Sequence, residues 1–498
     1  MIETESLNAV IGLLYFAAIP LTVVLSSIIR KRYRRRIVAS MMTTTAAPEG
    51  AFATAAATFP NGHDLQFETI RSGQRVPLRL KLGLRYLASG FAYALSLTVI
   101  LFVLNEFEFL PIRTSVVVLS FTTPAVLLAM LVAGFRWYWV LLAFIGWTWV
   151  LYGIAPESND IIGMLAMPSA FVALLLANPR MRTTTVPLYL GAIAFLIPML
   201  FVLDVLYGVL LYMPTLPLIE SLSPSLALGV FGVLSVALVV AAGVGFALIV
   251  LRLVGHLAAG SSELMMQHDA LWMFQTLWMI ALGWGTIGPP VLLYLLAFLA
   301  YRLVLFALRG AAASQPELLL LLRVFGKRSS QQSLARSHLL NWREKGPVML
   351  IGADDLATET LDASELAAFL QRKIGTLFIN TPADLEASVA NAAARLGDGL
   401  YPMQDYYCRD NSWRPTIMSL MARAGRVLLD LRGFSADNLG VQFEIGQLAQ
   451  RVPADRITVL YDTTTDVALA QQLFNEAWQE SAGSSESQTD CIRFQVVE

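Results

Sequence analysis

Acidic, basic and aromatic side chains with the chemistry of a ligand site gather in the last third of the chain. Asp354 and Asp355 follow the apolar run "VMLIG", Asp430, Arg432 and Ser435 follow "RVLLD", and Asp462 follows "RITVLY". A guanidinium presents a planar fork that matches phosphate. A carboxylate stabilises positive charge building on a sugar ring. Trp413 or Tyr407 could stack on a base. This set suits a nucleotide. Glu444 stands one turn into the segment "LGVQFEIGQLAQR". Spacing puts Val441, Ile445 and Leu448 on one helix face and Glu444 with Gln447 and Arg451 on the polar face. A carboxylate near a helix N-terminus is stabilised by about 0.3–1 kcal/mol, so Glu444 reads either as a solvated carboxylate or as a catalytic acid.

The elements that would position these residues alternate. Strand-like runs at 348–352, 375–379, 426–431, 456–461 and 491–497 are separated by helical patterns at 363–373, 382–395, 412–424, 439–451 and 466–479. Strands alternating with helices of this length predict βαβ units and a parallel sheet of five strands. In such sheets ligands sit outside the carboxyl ends of the strands, where the aspartates and Arg432 fall. Ser435, Asp437 and Asn438 are candidate helix caps. The α/β domain is expected over 347–498, preceded by a linker helix at 310–346.

The rest of the chain is different in kind. Of 498 residues 56% are hydrophobic and 14% charged, against about 25% charged in soluble proteins. Apolar stretches near 7–29, 84–104, 114–134, 136–153, 161–177, 186–204, 225–251, 271–287 and 289–308 predict an α-helical polytopic membrane domain of nine spans over 1–309. Pro289-Pro290 divides the last two. "MIETES" precedes the first stretch and "RKRYRRR" follows it, the reverse of a secretory signal. Loop arginines at 30–36, 71–79, 136, 180–182, 252 and 302–309 then fall on one side, with Arg113 the one exception. The expectation is a cell (inner) membrane protein with its N-terminus outside and its C-terminal domain cytoplasmic. The loop 31–81 reads as flexible. Its basic run fixes topology or attracts anionic lipid at about 1 kcal/mol per charge. Asp204 is the one acid expected near a span interior, and Trp137, Trp139, Trp147 and Trp149 read as interface anchors.

Other chemistries lack a foundation. Gly283-Trp-Gly285-Thr-Ile-Gly288 spells a dinucleotide fingerprint but lies between membrane spans, with no strand before it. No Walker A motif occurs, and the four histidines have no metal-ligand spacing, so no metal is expected. Cys408 and Cys491 form no disulfide framework. No basic or acidic tail points to nucleic acid.

The stretch "RDNSWRPTIMSLMARAGRVLLDLRGFSADNLGVQFEIGQL", 409–448, resembles the centre of a Toll/interleukin-1 receptor (TIR) domain, and "PVMLIGADD" resembles that family's first strand and loop. The whole chain resembles bacterial multi-pass membrane proteins that share its "LLRVFGKR" junction and "DLRGFS" segment. The TIR resemblance implies a flavodoxin-like fold and self-association. In members that cleave NAD it implies a catalytic glutamate at the place of Glu444. The leading expectation is a membrane protein whose cytoplasmic domain binds a nucleotide or a protein partner and signals. The alternatives are an NAD-cleaving hydrolase using Glu444, and a transporter or channel gated by the domain.

Overall fold

A computed structural model describes residues 24, 27–42, 64–71, 77–154, single helical positions between 229 and 249, 262–310, 316–324, 339–352, 365, 368–369, 372–409, 412–481 and 489–496. They fall into two compact units. Helices within Arg79–Leu308 form one, and strands with their helices, drawn from Arg32–Leu78, Arg309–Thr360 and Ala368–Glu498, form the other.

The helical unit contains α1 (Pro77–Leu104), α2 (Pro111–Ala133), α3 (Trp137–Ile154), α4 (Glu263–Ile287) and α5 (Leu295–Ala307). Among the described residues four helices are long and apolar enough to cross a membrane: Arg79–Leu104, Pro111–Ala133, Trp137–Ile154 and Pro289–Ala307. The expected span at 271–287 lies inside α4, whose first turns carry Glu263, Gln267, His268 and Asp269. The stretches 161–177 and 186–204, with Asp204, lie outside the described residues, as do 7–29 apart from 24 and 27–29 and 225–251 apart from scattered positions.

Sequence explains the ends of α2. Pro111 sits where a missing N–H costs nothing, and Gly134 (φ 96) turns back to donate to Leu131 O and Met130 O. Small residues let α1 and α2 meet. A Cβ on Gly83 would stand 3.2 Å from Ala129 O, and one on Gly90 would stand 2.4 Å from Ala125 Cβ. These pairings make α1 and α2 antiparallel. Tyr86 against His268 and Tyr93 against Thr276 make α1 and α4 parallel. Arg302 against Asp269 and Val291 against Gly283 make α5 antiparallel to α4. The N-terminal end of α1 and the C-terminal end of α5 therefore lie at the same end of this unit.

The α/β unit holds one sheet of seven strands, where five were expected: β1 (Asp64–Arg71), β2 (Leu319–Arg323), β3 (Val348–Gly352), β4 (Met403–Tyr407), β5 (Arg426–Asp430), β6 (Ile457–Tyr461) and β7 (Thr489–Val496). Their order is β1-β7-β6-β5-β2-β3-β4, and every pairing is parallel. The helices α6 (Pro382–Ala392), α7 (Trp413–Arg423), α8 (Leu439–Arg451) and α9 (Val467–Ser481) alternate with the later strands.

Three expectations are corrected here. The linker helix expected over 310–346 is interrupted, because "LLLLR" is the strand β2, held between β5 and β3, while 311–315 and 325–338 lie outside the described residues. The leucines of β2 alternate between two cores. Leu320 and Leu322 join Met349, Val427 and Leu429 on one face. Leu319 and Leu321 join Val348, Leu350 and Leu428 on the other. A strand covered on both faces reads as an unbroken apolar run. The segment 375–379 is not a strand. Ile374–Leu377 is a 3-10 turn, and only Phe378 bridges to Tyr407. The edge strand is β4, whose Gln404 and Asp405 mask a sheet pattern. Finally, the loop 31–81 contains structure. Residues 27–41 are helical, with Tyr33 and Ile37 buried. Tyr33 meets Phe369 edge-on at 5.8 Å, and the Arg36 guanidinium lies 5.6 Å above the same ring. Residues 64–71 are β1, which pairs along its whole length with β7.

The entry to β2 is tight. Trp342 Nε1 donates to Glu317 O at 3.0 Å, and Leu319 N donates to Pro347 O at 2.9 Å. A Cβ on Gly346 would stand 1.9 Å from Glu317 O. Because that atom is backbone, Gly346→Ala must displace the start of the central strand. The expected loss is about 1–3 kcal/mol, read as a lower midpoint for unfolding of the full chain in detergent.

Candidate functional site

The sheet grows from β2 to β3 and β4 on one side, then returns to β5 and β6 on the other. Helices on the two sides of such a reversal diverge and leave a crevice at the carboxyl ends of the central strands. Arg323 of β2 and Asp430 of β5 are register partners at this point. Val324 N donates to Asp430 O at 3.1 Å, which carries the pairing one residue further.

Arg432 folds back on Asp430. Its Nε donates to Asp430 Oδ1 at 2.8 Å, its Nη2 to Oδ2 at 2.6 Å, and its backbone N–H to Oδ1 at 3.2 Å. Both residues are buried. The bidentate geometry is the strong form of this contact. It also means that the fork expected to receive phosphate already holds a carboxylate.

The loops after β5 and β6 are clipped together. Thr465 Oγ1 donates to Leu431 O at 3.0 Å, and Asp466 N donates to Phe434 O at 3.0 Å. Asp462 Oδ1 accepts from Thr464 N at 2.9 Å, from Thr464 Oγ1 at 2.7 Å and from Thr465 Oγ1 at 3.1 Å. Burial by itself raises the Asp462 carboxyl, but these hydrogen bonds and the charge of Arg432 outweigh it and hold it below the usual range. Asp430, Arg432 and Asp462 are thus brought together, with Arg323 and Thr465, at the ends of β2, β5 and β6.

The remaining expected residues are placed elsewhere. Ser435 is exposed, and its N–H donates to Asn438 Oδ1 at 2.9 Å. Asn438 occupies the N-cap position of α8 but makes no side-chain cap there. Trp413 starts α7 and packs edge-on against Phe443 of α8, with centroids 5.5 Å apart. Arg414 covers both rings at 5.3 and 5.0 Å. Tyr407 is buried against Phe378. Neither aromatic stands open for stacking on a base. Asp354 and Asp355 lie outside the described residues.

Glu444 is the largest departure. It does not share a polar face with Gln447 and Arg451, because the buried stripe of α8 is Val441, Glu444, Ile445, Leu448 and Ala449. The residue is 1% exposed, and its Oε2 has no hydrogen-bond partner. Burial alone pushes its carboxyl up to about 8, so near neutral pH it is mostly a neutral acid. On the other side of the sheet reversal, Cys408 is also buried, which pushes its thiol up to about 12 against the hydrogen bonding of Thr416 and Ser412. It is a poor nucleophile.

Sequence reading misses Arg323 as a site residue, whereas Thr463 to Thr465 stand with Asp462 after "RITVLY", where ligands are expected. The signal for Arg323 was its place at the end of a five-residue apolar run, hidden while that run was read as helix. Among the described residues no group of three His, Cys, Asp or Glu side chains is arranged to hold a metal. No protein family matches the chain, and neither a curated protein nor a solved structure does.

Proposed function

We propose that this chain is an integral protein of the cell membrane whose α/β unit faces the cytoplasm, binds a nucleotide at the sheet reversal and signals its occupancy at the membrane. The observation that carries this reading is the convergence of Arg323, Asp430, Arg432 and Asp462 at the carboxyl ends of β2, β5 and β6, where the strand order turns back. The resemblance of 409–448 to TIR domains points to signalling and self-association, but apart from the edge strand β1 the strands follow the doubly wound order 3-2-1-4-5-6, not the flavodoxin-like 2-1-3-4-5 that the resemblance implies.

Connectivity supports the topology. β1 precedes α1 and β2 follows α5, yet both strands belong to one sheet. The chain between them must then cross the bilayer an even number of times, as eight crossings after a first span would do. The basic run 30–36 belongs to the helix that leads toward β1, and positive charge favours the cytoplasmic side.

The test is a panel of nucleotides, each at 1 mM or so, added to the full chain in detergent while unfolding of the α/β unit is followed. A ligand at 100 times its Kd adds about 2.7 kcal/mol, which raises the midpoint of a unit this size by roughly 5–10 °C. A flat response to every nucleotide rejects the reading.

A second reading is that the unit cleaves NAD with Glu444. Nicotinamide leaves as a neutral base and needs no proton, so the carboxylate form of Glu444 would stabilise the positive charge building on the ribose while water adds to the anomeric carbon, and burial, which now holds the carboxyl neutral, must be relieved to form it. Since Glu444 is enclosed, α8 would have to open. The full chain incubated with NAD should then release nicotinamide, and Glu444→Gln should abolish the release. No release from the wild type removes this reading and leaves the binding reading intact.

A further inference from the structure

The helical unit holds its own cluster of ionisable groups. Arg302 Nη1 of α5 donates to Asp269 Oδ2 of α4 at 2.8 Å. The Asp269 side chain is 9% exposed, and that of Arg302 keeps an open edge at 24%. His268, buried beside Asp269 in sequence, stacks on Tyr86 of α1 with ring centroids 3.9 Å and planes 17° apart. Tyr301 of α5 lies within electrostatic reach of Asp269, Tyr86 and Arg302. The helices packed here, α1, α4 and α5, each bring a titratable group to one place.

Helix association does not require this chemistry. Further along the same seam α1 and α4 are joined by neutral means: Tyr93 and Thr276 share a hydrogen bond of 2.9 Å, and Gly90 makes room for the Trp272 ring. Small residues and hydroxyls suffice to join helices in lipid. Ionisable residues there are costly and mark paths for charge.

One hydrogen bond sets the chemistry of the imidazole. His268 Nδ1 lies 2.9 Å from Leu264 O. A carbonyl only accepts, so Nδ1 carries the hydrogen and Nε2 is the basic nitrogen. A proton passing from water to Nε2 forms one N–H bond and adds one positive charge. The face of Tyr86 and the Asp269 carboxylate favour that charge, and Arg302 opposes it. Since His268 adjoins Asp269 in the chain, the new cation also adds positive charge close to the Arg302–Asp269 pair.

We propose that His268 is a proton-binding site of the membrane-embedded unit, tuned in opposite senses by Asp269 and Arg302, so that proton entry loosens the contact between α4 and α5. This inference stands independently of nucleotide binding by the α/β unit.

The chain has four histidines, so labelling histidine with nitrogen-15 in the full chain in nanodiscs gives a resolvable spectrum. The signal lost in His268→Gln identifies the residue. It should titrate in one step between about pH 5 and 8. Asp269→Asn should lower its proton affinity at least threefold, and Arg302→Gln should raise it by a similar factor. A purely structural role predicts no such opposed effects. If the His268 signal keeps one neutral tautomer across the range, or titrates identically in both variants, the proposal is overturned. The wild-type titration decides the matter even if a variant fails to fold.

Discussion

Replacing Glu444 with glutamine should flatten the dependence of stability on pH in the α/β unit. In the unfolded chain the carboxyl titrates near its ordinary value of 4.5, whereas burial in the fold pushes it up to about 8. Between those values the native state holds a proton that the unfolded state has released. The contribution of Glu444 is therefore fully present below about pH 4.5, falls as pH rises, and is gone above about 8. Each unit of difference is worth about 1.4 kcal/mol, so the window spans roughly 5 kcal/mol. Denaturant unfolding of the full chain at a series of pH values checks this. The wild type should weaken across the window relative to Glu444→Gln, and Glu444→Leu should follow the glutamine variant. Parallel curves for wild type and glutamine would show that Glu444 ionises in the folded state without penalty, which its enclosed position does not allow.

Asp430→Ala should destabilise the same unit by about 3–5 kcal/mol, because it leaves the Arg432 guanidinium buried with its bidentate acceptor removed. Replacing both residues with leucine should restore most of that loss, since an apolar pair needs no partner. Unfolding midpoints of the two single variants and the double variant supply the comparison. If Asp430→Ala were neutral, the guanidinium would have another acceptor of equal quality, and the reversal of the sheet would not depend on this pair. A double variant that keeps the fold but loses a nucleotide-induced shift would link the pair to ligand binding.

Much of the architecture was legible in sequence because local signals agreed with tertiary demand. Helix α8 falls on 439–451 as expected. Strands β3, β5, β6 and β7 fall within two residues of their apolar runs. The failures have physical causes. Leucine favours helix, so a strand made of leucine and covered on both faces gives no periodic signal, and β2 was read as helix. An edge strand needs few apolar residues, so β4 was passed over. β1 was invisible because its partner β7 lies at the other end of the chain, and no local pattern encodes a pairing of that range. At the site, strand ends placed Asp430, Arg432 and Asp462 correctly. Helical periodicity misplaced Glu444, because it assigns a carboxylate to solvent by type. The stripe of α8 is set by packing, and there a neutral acid can serve as an apolar group. The His268 and Asp269 pair escaped notice because it precedes the apolar stretch at 271–287 that marked the span, while α4 begins at Glu263.

The pairing of β1 with β7 has a consequence for how the molecule is made. β1 (Asp64–Arg71) leaves the ribosome long before β7 (Thr489–Val496). At about 5–20 residues per second, the first strand must wait tens of seconds for its neighbour. Meanwhile the intervening hydrophobic segments emerge. On the proposed topology, completion of the sheet is a late step that reports whether every earlier crossing was made with the correct parity. A chain inserted with one crossing too few would hold β1 on the opposite face of the bilayer from β7, leaving the edge of β7 unpaired and available to quality control.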